Sequence, residues 1–175
     1  YKFSKQAKKK IRIAYYSADF RNHPMSYLLA NLYELHDKNK FEIIGISFGP
    51  DKDDEMRKRV SSAFDEFYDV RLKTEDEIVK LSRELKIDIA IDLMCFTKYH
   101  KFGIFVKRCA PIQVNYLGYP GTSGTNYLDY IIVDKIIIPK ESQKYYSEKI
   151  VYLPNTYQAN DSTKKISDKI FTREE

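Results

Sequence analysis

The sequence predicts an α/β domain built on a mostly parallel β-sheet, and three features predict it. Short β-branched runs recur along the chain, several of them are apolar almost throughout, and amphipathic helical patterns lie between them. Strands that are apolar on both sides are the ones a parallel sheet buries on both faces. Strand and helix alternating in this way imply βαβ units with right-handed crossovers. At 175 residues the chain is long enough for one domain with a real core and too short for two sizeable ones.

The first predicted strand is IRIAYYS, from Ile11 to Ser17. Pro24 then opens a helix, because a missing N–H costs little in the first turn and Leu28, Leu32 and Leu35 follow at helical spacing. FEIIGISF, from Phe41 to Phe48, is the second strand, and the stretch from Asp54 to Phe64 reads as a helix. Thr74 and Glu77 form a capping box, after which Ile78, Leu81 and Leu85 line one face of a helix ending near Lys86. IDIAIDL (residues 87–93), PIQVNYL (111–117), DYIIVD (129–134) and KIVYL (149–153) complete the predicted strands.

Composition narrows the function. The net charge is +5, but 30 basic and 25 acidic residues are interspersed along the chain, which argues against a nucleic-acid partner. The basic run Lys8–Lys10 reads as a solvated linker. Cys95 and Cys109 have neither metal-ligand spacing nor a secreted framework, so a cytoplasmic protein with free thiols is expected. No segment has the length of a membrane span, and no apolar signal region stands at the start. With Tyr1 at one end and IFTREE at the other, the chain is expected to be cut from a longer protein.

In a parallel sheet the ligand side is the rim at the carboxyl ends of the strands. The loops expected there carry ADFRNHP, GPDKDDEMR, MCFTKYHK and GYPGTSGTN, which together would form a composite polar site. His23 stands where a strand passes into a helix; an imidazole there either moves or holds a proton near neutral pH, or serves only as the helix N-cap. Lys98, Lys101 and Arg108 follow a strand end closely enough to place cations over a phosphate or a sugar, or else lie on a solvated face. Gly118, Gly121 and Gly124 around Pro120 make a tight loop whose backbone can approach a ligand or which serves only as a strand-connecting turn, the reading that local residues alone favour; neither a Walker loop nor a dinucleotide fingerprint is present. The fifteen tyrosines and ten phenylalanines form no RNA-binding motif and read as packing.

YYSADFRNHPMSYLL, DLMCFTKYHKFGIF, APIQVNYLGYPGTSGTNYLDYIIVD and YSEKIVYLPNTYQAND together resemble the O-linked N-acetylglucosamine transferase and SPINDLY family of protein glycosyltransferases, from about Ile11 to about Arg173. The resemblance implies a Rossmann-like three-layer domain, the amino-terminal lobe of a GT-B catalytic region. It divides the chain into a linker over residues 1–10, the lobe over 11–160 and a connection over 161–175 towards a carboxy-terminal lobe. Upstream tetratricopeptide repeats would complete the parent.

The resemblance also implies that His23 lies in the active-site cleft near the transferred sugar. Asp19, Asn22 and Pro24 around it, and Leu117, Gly118, Tyr119, Pro120, Gly121 and Thr122 of the glycine loop, would border the sugar, with Lys98 and Lys101 facing the same cleft. Cys95 stands where the family commonly has glycine and Lys101 where it commonly has arginine. Arg108-Cys109 replaces an Arg-Pro pair, and Tyr27 replaces a second histidine of some relatives. The chemistry implied is inverting transfer of N-acetylglucosamine from UDP-GlcNAc to Ser or Thr hydroxyls of protein or peptide acceptors, without cofactor or metal and with no membrane partner. The isolated fragment is expected to lack turnover. Fucosyl or another sugar transfer by the same fold, or a lobe that only binds protein, are the alternatives. A receiver-like domain using Asp19 and Asp92 leaves the glycine loop unexplained.

Overall fold

The computed structural model describes residues 3, 10–165, 167–170 and 172–173; the Lys8–Lys9 part of the basic run lies outside them. Seven strands form one parallel sheet among the described residues: β1 (Ile11–Ser17), β2 (Phe41–Ser47), β3 (Glu66–Asp69), β4 (Ile89–Asp92), β5 (Ile112–Tyr116), β6 (Tyr130–Val133) and β7 (Lys149–Tyr152). Their order is β3-β2-β1-β4-β5-β6-β7, and every pairing is parallel. The helices are α1 (Pro24–Glu34), α2 (Glu55–Ala63), α3 (Glu75–Glu84) and the single turn α4 (Gly103–Val106), with a 3-10 segment at Lys140–Tyr145.

The strands read as continuously apolar because each face has its own core. Ala14, Tyr16, Ile44, Ile46 and Ala90 pack on one side with Ile78 and Val79 of α3 and Ile104 and Phe105 of α4. Ile13, Tyr15, Ile43, Ile91 and Val114 pack on the other with Leu29 and Tyr33 of α1 and Met56 and Val60 of α2. Helix, sheet and helix make three layers, the expected Rossmann-like arrangement.

Six strands appear where the sequence predicts them, within a residue or two at the ends. The seventh, β3, has only four residues, EFYD, two of them acidic, and sits at the sheet edge, where it carries little apolar signal. The Thr74–Glu77 capping box forms as predicted: the Thr74 side chain accepts from the Glu77 amide and the Glu77 carboxylate accepts from the Thr74 amide. α3 ends at Glu84, with Leu85 as cap and Lys86 in the left-handed region at φ 52°.

The chain runs outward from β1 through β2 to β3, then returns to place β4 on the other side of β1. The crevice above β1 and β4 is therefore the topological switch point, where diverging connections leave room for a ligand.

Candidate functional site

At this switch point three loops enclose a cleft of about 270 Å³. Asp19, Arg21, His23 and Met25 come from the segment after β1, Leu93, Thr97, Lys98 and Tyr99 from the segment after β4, and Gly118 from the turn after β5. The volume suits a monosaccharide better than a whole nucleotide sugar.

His23 is the N-cap of α1, with extended backbone at φ −153° and ψ 146°, and Pro24 fills the first helical position. Its Nδ1 accepts from the Met25 amide at 3.3 Å and lies 3.6 Å from Asp19 Oδ2. A ring nitrogen that accepts a hydrogen bond carries no proton, so the neutral capping imidazole holds its hydrogen on Nε2. Turning Nδ1 into a donor towards Asp19 would release the cap and leave Nε2 as a base. The cap role and the cleft role weighed from the sequence thus coexist in one residue.

Asp19 is almost buried and is fixed from several directions. Its amide donates to Ser17 Oγ at 2.9 Å, its carbonyl accepts from Ser26 Oγ at 2.6 Å, and its Oδ1 accepts from Arg21 Nη2 at 3.1 Å. Asn22 turns out of the cleft, its amide donating to both oxygens of Asp54 at 3.0 and 2.9 Å. Asp54 is itself the N-cap of α2 and accepts from the Arg57 amide, so one carboxylate ties the loop after β1 to the start of α2. Tyr27 donates to Asn22 Oδ1 at 3.3 Å.

The three cations of the second loop part ways. Lys98 lines the cleft with its ammonium 5.0 Å from the Tyr99 ring centroid. Lys101 lies outside it, donating to the Lys73 carbonyl at 2.8 Å. Arg108 is structural: its guanidinium donates to both Asp129 oxygens at 2.9 and 2.7 Å, and to the carbonyls of Pro111 and Tyr127. Cys95 and Tyr99 in the same loop have φ of 46° and 69°, the left-handed region that favours glycine. Cys95 is buried, and burial, with Asp92 and Glu148 adding to it, pushes its thiol up to about 12; burial does the same to Cys109. Neither is a thiolate nucleophile.

The glycine loop is held by contact rather than by flexibility. A Cβ on Gly118 would sit 1.9 Å from the Leu93 carbonyl oxygen, so only glycine lets this turn close against the end of β4. Leu117, just before it, is buried at φ 66°. Tyr119 packs edge-on against Phe96 with centroids 5.6 Å apart, and a Cβ on Gly121 would meet that tyrosine ring. Pro120 accepts from Tyr146 Oη at 3.4 Å. Thr122 donates to Glu148 Oε2 at 2.7 Å, and the Ser123 amide donates to Glu148 Oε1 at 2.7 Å.

Of the residues singled out from the sequence, Asp19, His23, Lys98 and Gly118 line the cleft together. Pro24 and Leu117 adjoin lining residues in the chain without lining the cleft themselves, Tyr119 to Thr122 continue the loop beyond it, and Asn22 and Lys101 are engaged elsewhere. Sequence reasoning missed Arg21 as a lining residue, although it sits inside the motif around His23. It also missed Glu148, whose pairing with Thr122 and Ser123 spans 26 and 25 positions and leaves no local signal.

Among the described residues, no group of three or more His, Cys, Asp or Glu is placed to hold a metal ion. No helix among them is long and apolar enough to cross a membrane.

A three-layer parallel domain with a polar cleft built from three loops at the switch point defines a class: the open α/β folds, in which ligands bind in the crevice outside the carboxyl ends of the strands. Comparison with known proteins makes the class specific. The family model described as Glycosyl transferase family 41 matches residues 1–173, and the chain belongs to that family.

The chain is 38% identical over 160 residues to an Arabidopsis thaliana protein named Probable UDP-N-acetylglucosamine-peptide N-acetylglucosaminyltransferase SEC, covering 91% of this chain and 16% of the relative. It is 30% identical over 177 residues to the Caenorhabditis elegans UDP-N-acetylglucosamine-peptide N-acetylglucosaminyltransferase, covering 99% of this chain and 15% of the relative. A solved mutant of the Thermobaculum terrenum O-GlcNAc transferase superposes with a TM-score of 0.82 at 33% identity, over 86% of this chain and 29% of that one. The chain thus spans about one sixth of the length of these curated relatives.

Proposed function

We propose that the chain is the amino-terminal lobe of a two-lobed GT-B protein O-glycosyltransferase, supplying the sugar- and acceptor-side contacts for inverting transfer of N-acetylglucosamine from UDP-GlcNAc to Ser or Thr hydroxyls. The observation that carries this reading is the cleft at the β1/β4 switch point, where Asp19, His23, Lys98 and Gly118 meet in a family 41 chain. A cleft of about 270 Å³ leaves the nucleotide to be held by a second lobe, in keeping with the small share of its relatives that the chain spans. The parent would also carry upstream tetratricopeptide repeats and act in the cytoplasm.

In this reading the acceptor oxygen attacks the anomeric carbon as the bond to the diphosphate oxygen breaks, and the hydroxyl proton passes to a base. The capping imidazole presents Nε2–H to the sugar or acceptor oxygen and positions it. With Nδ1 turned to Asp19, Nε2 takes up the hydroxyl proton instead. Lys98 supplies positive charge beside the leaving group. The sugar donor is a substrate, and the scheme requires neither cofactor nor metal.

The test is a titration of the chain with uridine- and guanosine-diphosphate sugars by ligand-observed NMR, repeated on a longer version that carries the following lobe. Binding of uridine sugars by the longer version alone supports the reading. Binding of guanosine sugars moves it to fucosyl-type transfer, and no binding by either version overturns it.

A further inference from the structure

Asp92 ends β4 and Asn115 lies opposite it in β5, in register. Register partners on adjacent strands leave the sheet on the same face, here the α3/α4 side. Both residues are buried, 1% and 0% exposed. Asn115 Nδ2 donates to the Tyr119 carbonyl at 3.0 Å and the Gly121 carbonyl at 3.2 Å, so the amide holds both ends of the turn that follows Gly118. Asp92 Oδ1 accepts from the Met94 amide at 2.9 Å. Asp92 Oδ2 and Asn115 Oδ1 are buried acceptors with no donor among the described residues.

Two orphaned oxygens on neighbouring strands cannot both be relieved by turning the amide. Exchanging the nitrogen and oxygen of Asn115 would set its oxygen against two carbonyls and lose both loop hydrogen bonds. No Lys, Arg or His among the described residues is bonded to Asp92, so an ionised carboxylate there would be a buried charge without a counter-ion. The titratable groups around it are Tyr16, in register on β1, Cys95 in its own loop and Cys109 ahead of β5. Beyond them, Glu148 acts on Cys95, and the Arg108 guanidinium near Cys109 is spent on Asp129. Tyr16, Cys95 and Cys109 are all held neutral by burial. A single proton removes the conflict by turning Asp92 Oδ2 into a donor.

We propose that Asp92 in its protonated form donates a hydrogen bond to Asn115 Oδ1, which makes Asp92 a pH-dependent positioning residue for the Tyr119–Gly121 turn. The proton locks the amide in the orientation that holds the loop. Burial raises the Asp92 carboxyl to about 6, against the pull of the Met94 and Cys95 amides, which favour the anion. As the pH rises past that value the proton is lost, two buried oxygens on neighbouring strands are left without a donor, and the loop's hold weakens. This device does not depend on which sugar the cleft transfers, or on transfer at all.

The experiment is a pH titration of the chain followed by the carboxyl carbon signal of Asp92 and the amide signals of Tyr119 and Gly121, alongside Asp92→Asn and Asn115→Ala. The expected result is an Asp92 midpoint near 6 that the loop amides follow. In Asp92→Asn the amide supplies the donor without charge, so the loop signals keep their low-pH positions at every pH. In Asn115→Ala the loop amides exchange faster and no longer track the carboxyl. An Asp92 midpoint near 4, or loop amides indifferent to it in the parent chain, overturns the proposal. Because no sugar is present, either outcome is separate from the fate of the transferase reading.

Discussion

His23 Nδ1 stands 3.6 Å from Asp19 Oδ2 while accepting from the Met25 amide at 3.3 Å, so one ring nitrogen faces both a helix terminus and a nearly buried carboxylate. Cap and chemistry are separable by substitution. His23→Ala removes the cap and should cost about 1 kcal/mol of stability, whereas His23→Asn restores a side-chain acceptor and should stay within a few tenths of the parent. If the imidazole acts in the cleft, both variants lose transfer in the full-length enzyme by about 100-fold. Denaturant melts paired with a peptide transfer assay read the two effects separately; an Asn variant with undiminished transfer leaves His23 as a cap alone.

Gly118 and the Leu93 carbonyl bring the ends of β5 and β4 into contact, and a Cβ would come within 1.9 Å of that oxygen. Backbone cannot swing aside as a flexible side chain does. Gly118→Ala should therefore cost about 2 kcal/mol, seen as a melting temperature lower by roughly 4–8 °C for a domain of this size. It should also widen the gap between the two loops that enclose the cleft. A melting temperature unchanged within a degree would mean that the turn has room the close contact does not show.

Arg108 meets Asp129 through both carboxylate oxygens and fastens the segment before β5 to the turn before β6. Nη2 meets both Asp129 oxygens and the Pro111 carbonyl while Nη1 meets the Tyr127 carbonyl, and the single ammonium of lysine cannot reach all of them at once. Arg108→Lys should destabilise by about 1–3 kcal/mol and, under the proposed function, leave the nucleotide-sugar affinity of the longer version unchanged. Urea unfolding and a donor titration on the same variant give the answer, and weakened donor binding without loss of stability would return Arg108 to the site.

The fate of Lys98, Lys101 and Arg108 shows where sequence reading ends. Spacing placed all three near one rim, and only the fold decides that one lines the cleft, one caps a distant carbonyl and one staples two loops. The strands were legible because a sheet covered on both faces demands apolar runs, and α1 and α3 because proline and the capping box act locally. β3 was not, since an exposed edge asks little of its four residues. Cys95 looked like a lapse from the family's glycine, and its φ of 46° gives the physical reason glycine suits that position. The Asp92–Asn115 step was invisible, because register between strands is set by the whole sheet.

The segment after β7 is tied back to the lobe by charge, and that tie should respond to acid. Asp161 accepts from Arg59 Nη1 at 2.6 Å, Glu34 accepts from the same guanidinium at 2.8 and 2.9 Å, and Ser162 Oγ donates to Asn31 Oδ1 at 2.7 Å. The Arg59 guanidinium holds the Asp161 carboxyl well below the usual carboxylate range and lowers that of Glu34. A carboxyl whose folded-state pKa lies below its unfolded value contributes stability above an unfolded pKa of about 4, and that contribution fades as the pH falls further. Amides of residues 161–163 should lose protection as the pH is lowered through and below about 4, while β1, β2 and β4 remain protected in the core of the sheet. Arg59→Ala should give the same local release at neutral pH, with the strands unaffected. Hydrogen exchange by mass spectrometry resolves the two regions, and a segment that opens only together with the sheet would show that Arg59 is not what holds it.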